Sequence, residues 1–100
     1  MKIYEVLKGL ELPVAYGLFR EKVEPPFIVY MGEGQNQFKA DDKRYHHYNT
    51  YRVEYYFKYK DESMEEDIEA AFDSAKYPFE KSEDIYLDEE DVFVIYYYIN

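Results

Sequence analysis

The sequence contains no cysteine, and this absence narrows the chemistry that the protein can carry. Without cysteine there can be no disulfide scaffold, no thiolate metal site and no cysteine nucleophile. The sequence also has no apolar run of transmembrane length, and its N-terminus has no stretch of signal-peptide character. We therefore expect a soluble intracellular protein with no membrane partner.

Basic residues are scarce and unevenly placed. The chain has 12 Lys and Arg against 22 Asp and Glu, a net charge of −10, which argues against a general affinity for nucleic acid. Residues 39–60 carry six basic and three acidic side chains, whereas residues 61–91 carry two basic and fourteen acidic ones. This asymmetry could orient identical subunits head to tail. A solvated acidic face that keeps the protein soluble is the alternative interpretation.

Catalytic and metal-binding patterns are missing as well. The adjacent His46 and His47 would project to opposite faces of a strand, so they do not form a metal-binding pair. Gly32-Glu33-Gly34 is not followed by a helix start, and the acidic run 88–91 lacks the spacing of a calcium loop. No serine lies in a glycine elbow. We predict no catalytic site, no cofactor and no metal, and hence a protein that is not an enzyme.

The patterns that are present predict a single α+β domain over residues 1–100. Helical spacing indicates a short first helix that ends near Gly9. Extended segments follow at 15–19 and 27–31, and a long strand covers 45–59. Ser63 with Glu66 suggests a capping box for a second helix that stops near Lys76.

A closing hairpin completes the predicted fold, with strands at 84–87 and 92–99 joined by the turn 88–91. The predicted order is α-β-β-β-α-β-β, a mostly antiparallel sheet of four to five strands with two helices on one face. In the long strand, Tyr51, Val53, Tyr55 and Phe57 should face the core, near Ile68 and Phe72 of the second helix. The alternate residues, which include Arg52, Glu54 and Tyr56, should face water.

Tyrosine is unusually abundant. The chain has 14 tyrosines, more than a core of this size can hold with every hydroxyl satisfied. We expect Tyr48, Tyr56, Tyr86 and one face of Tyr96–Tyr98 to be partly exposed, as interface tyrosines often are. Two alternatives stay open: chance surface tyrosine on strands that favour aromatic residues, and stacking on single-stranded nucleic acid beside Arg52 and Lys58.

Three segments of the sequence carry a family resemblance. They are the opening MKIYEVLKGLELPVAYGLF, the stretch PPFIVYMGEGQNQFKADDKRYHHYNTYRVEYY, and an acidic helix before a closing hairpin. Together they cover nearly the whole chain, and PPFIVYMGEG and YRVEYYF are their most specific parts. The chain resembles the small tail-completion proteins of long-tailed bacteriophages and Gram-positive prophages, the tail-terminator or head–tail joining group.

The resemblance implies a structural virion protein that forms a ring, commonly six-fold, at the head-proximal end of the tail tube. Such a ring stops tube polymerisation and docks to the head connector. It has no cofactor and no active site. The implied partners are further copies of the chain, the tail-tube protein and the connector. The implied location is the virion neck, with the host cytoplasm as the place of assembly.

A closed ring needs two different patches that meet on neighbouring subunits. The first candidate patch is basic and aromatic, and the second is either the acidic helix or the turn that closes the hairpin. The candidate interface residues are Lys39, Lys43, Arg44, Tyr48, Arg52 and Tyr56 on one side and Asp88, Glu89, Glu90 and Asp91 on the other. A rival function is a small acidic phage-encoded protein that inhibits a host nucleic-acid enzyme by mimicking DNA with segment 61–91.

Overall fold

A computed structural model describes residues 2–33 and 50–100. Within these ranges the fold is α+β, as predicted, with two helices and a mixed, mostly antiparallel sheet of six strands. The helices are α1 (Ile3–Lys8) and α2 (Glu62–Ser74). The strands are β1 (Val14–Tyr16), β2 (Phe27–Gly32), β3 (Tyr51–Phe57), β4 (Phe79–Lys81), β5 (Ile85–Leu87) and β6 (Val92–Ile99). Among the described residues, no helix is long and apolar enough to cross a membrane.

The sheet is built around the pair β3 and β6. Its order is β1-β2-β3-β6, and the far side of β6 pairs with β4 at one end and with β5 at the other. Only β1 and β2 run parallel; the other described pairs are antiparallel. The sequence prediction missed β4, because a strand of three residues is too short for alternation to reveal it.

Ser82 lies in the break between β4 and β5 and is hydrogen-bonded to β6 there. Its backbone N–H donates to the carbonyl of Tyr96 at 2.9 Å, and its hydroxyl accepts from the N–H of Tyr96 at 2.9 Å. The serine side chain therefore replaces the backbone acceptor that a continuous edge strand would supply, so the backbone groups of Tyr96 stay paired.

The core lies between the two helices and one face of the sheet. The alternation of β3 places Val53, Tyr55 and Phe57 on this face, as predicted, and all three are buried. Ile68 and Phe72 of α2 are fully buried in the same cluster. The face opposite the helices, called the second face below, carries the alternate residues of each strand.

The start of α2 differs from the prediction. Asp61 is the N-cap, and its Oδ1 accepts from the N–H of Met64 at 3.2 Å. The predicted capping box at Ser63 is wrong, because aspartate is as good an N-cap as serine and lies two residues earlier. The C-terminal end was predicted closely: the helix ends at Ser74, and Lys76 takes a left-handed φ of 65°.

Candidate assembly and binding surface

The predicted interface residues fall into three groups. Lys39, Lys43, Arg44 and Tyr48 lie outside the described residues, as do His46 and His47. Arg52 and Tyr56 lie on the second face, where β3 presents them beside β2 and β6. Asp88, Glu89, Glu90 and Asp91 form the turn between β5 and β6, as predicted, and all four are exposed. The structure thus brings Arg52 and Tyr56 together on one face.

Glu54 lies at the centre of the second face, and it is buried. Its Oε2 is 2.9 Å from Nε of Arg52, and its Oε1 accepts from the hydroxyl of Tyr56 at 2.7 Å. Arg52 also contacts Glu33, with 3.1 Å between Nη1 and Oε2. The prediction that Glu54 faces water is wrong, since only 7% of the residue is exposed. Residues two positions away on the same face satisfy both of its oxygens, which allows the charge to be buried.

The surroundings of Arg52 and Tyr56 in this cluster shift the pKa values of both residues. Burial alone would lower the pKa of Arg52, but the hydrogen bond to Glu54 and the charges of Glu54 and Glu33 raise it. Burial and the hydrogen bond to Glu54 both raise the pKa of Tyr56. At neutral pH, Arg52 is therefore charged and Tyr56 is protonated. The charge of Arg52 is matched within the subunit, which leaves it little attraction for a neighbour.

The turn between β5 and β6 contains four carboxylates, of which Asp91 alone forms an ion pair with a residue that the structure describes. Asp91 has a left-handed φ of 56°, its Oδ2 is 3.0 Å from Nζ of Lys58, and its Oδ1 accepts from the hydroxyl of Tyr86 at 2.6 Å. The hydrogen bonds from Tyr86 and Lys58 lower the pKa of Asp91. Within the described part of the chain, Asp88, Glu89 and Glu90 make no ion pair.

A cleft of about 710 Å³ lies between residues 17–25 and the second face, and we call it the 17–25 cleft. The ring of Phe19 meets Phe27 edge to face at 5.3 Å, and Phe27 stacks on Tyr56 at 4.9 Å. The apolar lining from the strands is Phe27, Val29, Tyr56, Leu87 and Val92, and that from segment 17–25 is Leu18, Phe19, Val23 and Pro25. Glu89 and Glu90 line the same cleft, so the turn and Tyr56 belong to one surface.

Segment 17–25 was not predicted as a binding site, and its first three residues were predicted as the end of an extended segment at 15–19, whereas β1 ends at Tyr16. Its signal was present: Leu18, Phe19 and Val23 are large apolar residues in a connection between a three-residue strand and Pro25-Pro26. Gly17 begins this segment with a left-handed φ of 81°. Leu18 is 64% exposed and lines the cleft together with other apolar side chains, so the cleft presents a group of neighbouring apolar residues to water.

Two carboxylates of the acidic helix α2 form ion pairs with lysines of the same subunit. Glu65 is 4% exposed, and its two oxygens lie 2.7 Å from Nζ of Lys60 and 3.1 Å from Nζ of Lys81. Lys81 also contacts Glu69 at 2.8 Å, and Glu69 accepts from the hydroxyl of Tyr97 at 2.9 Å. The outward carboxylates of α2, which make no ion pair with any described residue, are Glu62, Glu66, Asp67 and Asp73.

Neither a metal-binding cluster among the described residues nor similarity to a known protein indicates a function. In the ranges that the structure covers, no group of three or more His, Asp or Glu side chains is placed to hold a metal ion. No protein-family model, curated protein or solved structure matches the chain.

Proposed function

We propose that the chain is a structural virion protein of a phage or prophage, a ring-forming tail-terminator or head–tail joining subunit at the neck. The observation that supports this proposal best is the division of the sheet into two unlike faces. One face carries the core, and the second face carries aromatic side chains beside the acidic turn. A sheet face that carries aromatic side chains suits contact between subunits, because aromatic residues are enriched at interfaces.

Exposed tyrosine supplies the contact area in this proposal. Tyr98 of the second face is 39% exposed, lies opposite Arg52 in the sheet register, and is 6.2 Å from the ring of Tyr96. Tyrosine buries a large area at a small cost in side-chain entropy, which suits a repeated contact. The exposed ion pairs that the charge asymmetry suggests would add only about 0.2–1 kcal/mol each, so they orient the subunits and add little affinity.

The ion pairs of Arg52 make this residue unsuitable for testing the proposed interface by mutation. A charge reversal at Arg52 would place a third carboxylate beside Glu33 and Glu54 and disturb the fold itself. Tyr98→Thr is the better variant, because threonine suits a strand and the hydroxyl of Tyr98 has no partner among the described residues. Tyr4→Ala is its matched control: Tyr4 is similarly exposed, but it lies on α1, on the opposite side of the sheet.

The decisive experiment introduces a nonsense mutation in a phage or inducible prophage that carries the gene. The proposal predicts DNA-filled heads and separate tails of irregular length, and joining of the two after purified chain is added to the lysate. Added Tyr98→Thr protein should restore joining at least tenfold less well than wild type or Tyr4→Ala. Infectious particles of normal tail length in the nonsense mutant would refute the proposal.

A second candidate, inhibition of a host nucleic-acid enzyme by DNA mimicry, is favoured by one observation. Unpaired carboxylates extend from α2 to the β4–β5 edge of the sheet. Those with no ion pair among the described residues include Glu62, Glu66, Asp67, Glu80, Glu83 and Asp88. Such a protein should capture a nucleic-acid enzyme from host lysate, duplex DNA should displace that enzyme, and no tail or connector protein should be recovered with it.

A further inference from the structure

We propose that the 17–25 cleft is a docking site for a short segment of a different protein, one that carries an apolar side chain next to an arginine or lysine. This inference goes beyond the proposed ring and does not depend on it, because one subunit forms the whole cleft.

Leu18 is the most exposed of the large apolar side chains that line the cleft. This side chain is 64% exposed at the wall of a cleft whose floor includes Phe27, Tyr56 and Val92. An apolar side chain placed between Leu18 and this floor would remove apolar surface from water on both sides. The volume of about 710 Å³ admits a few side chains, and it falls within the range of about 300–1,000 Å³ found for ligand sites.

The rim of the cleft selects the charge of the ligand. Glu21, Glu24, Glu89 and Glu90 line it, and none of them makes an ion pair with a described residue. Against these four stand two lysines, Lys22 and Lys58, and Nζ of Lys58 is already 3.0 Å from Asp91. The rim is therefore negative, and free carboxylates at the edge of an apolar cleft are suitable acceptors for a guanidinium or ammonium group.

The same charges argue against other occupants. Nucleic acid would bring phosphates towards unpaired carboxylates, which repel them. A second copy of the chain carries a net charge of −10, which opposes its approach to an acidic rim, and four of its described cations, Arg52, Lys58, Lys60 and Lys81, are held in ion pairs within the subunit. A basic segment of a different protein is the occupant that complements both the apolar lining and the acidic rim.

The test uses a random hexapeptide library on beads, screened with the full chain and counter-screened with Leu18→Ser. Leu18 is mostly exposed, so this variant should fold normally, which far-UV circular dichroism and thermal unfolding will establish. The enriched peptides should contain an apolar or aromatic residue within two positions of Arg or Lys. Synthetic copies of them should shift the amide resonances of Leu18, Phe27 and Val92 in NMR titrations.

Variants of the rim separate specific docking from bulk attraction. Glu89→Lys with Glu90→Lys should weaken an enriched peptide at least tenfold, and so should Leu18→Ser. Asp67→Lys, which alters an exposed carboxylate of α2 on the other side of the sheet, should change the affinity less than twofold. The proposal is overturned if no peptide is enriched relative to Leu18→Ser, if enriched peptides lack basic residues, or if Asp67→Lys weakens binding as much as the rim variant.

Discussion

Arg52→Met is the most informative single perturbation of the second face. It removes the guanidinium that lies 2.9 Å from Oε2 of Glu54 and leaves that carboxylate buried, with the hydroxyl of Tyr56 as its one remaining side-chain donor among residues 2–33 and 50–100. Removing one partner of a fully buried ion pair costs about 3–5 kcal/mol. The side chain of Arg52 is 32% exposed, and Tyr56 still serves one oxygen, so we expect about 2–3 kcal/mol, the worth of hydrogen bonds to a charged group.

Urea unfolding followed by circular dichroism and tyrosine fluorescence measures this loss, because the chain has no tryptophan. The double variant Arg52→Met with Glu54→Gln should be about 1 kcal/mol more stable than Arg52→Met alone, since the stranded charge is gone. Lys58→Met is the control: its partner Asp91 is exposed, so stability should change little. If Arg52→Met costs less than about 0.5 kcal/mol, or if the double variant is no more stable, Glu54 is not held as described.

Three further predictions concern stability. Phe72→Ala should lower the free energy of unfolding in urea by about 3–5 kcal/mol, because the ring is fully buried with its centre 5.5 Å from the ring centres of Phe79 and Tyr97. An unchanged urea midpoint would contradict the assignment of Phe72 to the core. Glu65→Ala should lower stability by about 1.5–3 kcal/mol by leaving Lys60 and Lys81 without their shared carboxylate, whereas Glu66→Ala should have little effect. Asp91→Asn tests the pH dependence of stability. Because the pKa of Asp91 is lowered in the folded protein, ionised Asp91 stabilises the fold at any pH above its unfolded pKa of about 3.9. This stabilisation is lost as the pH falls through the pKa of the folded state. The variant should therefore melt below wild type at neutral pH and together with it near pH 2, and a constant difference would contradict the assignment.

The main elements of the fold could be predicted because their periodicity is strong. The alternation in β3 correctly separated Val53, Tyr55 and Phe57 from Arg52 and Tyr56. Periodicity assigns a side chain to a face but says nothing about what covers it. That is why Glu54, which lies on the predicted face, was wrongly expected to be exposed.

The candidate site was predictable only in part. Glu89 and Glu90 were selected for their charge and Tyr56 for its exposure, but the sequence could not show that they line one cleft, since β6 must first pair with β3. Leu18 was not selected because it was predicted within an extended segment at 15–19, whereas β1 ends at Tyr16 and Leu18 lies in the connection that follows. The position of such a connection depends on contacts with strands that are distant in the sequence.

The most direct test of the proposed function is to locate the chain in purified tailed particles by immunogold labelling and cryo-electron microscopy. The proposal predicts gold at the junction of head and tail, and a closed ring of density there into which the six-stranded subunit fits in repeated copies. Particles that are infectious and complete but contain none of this chain would contradict it.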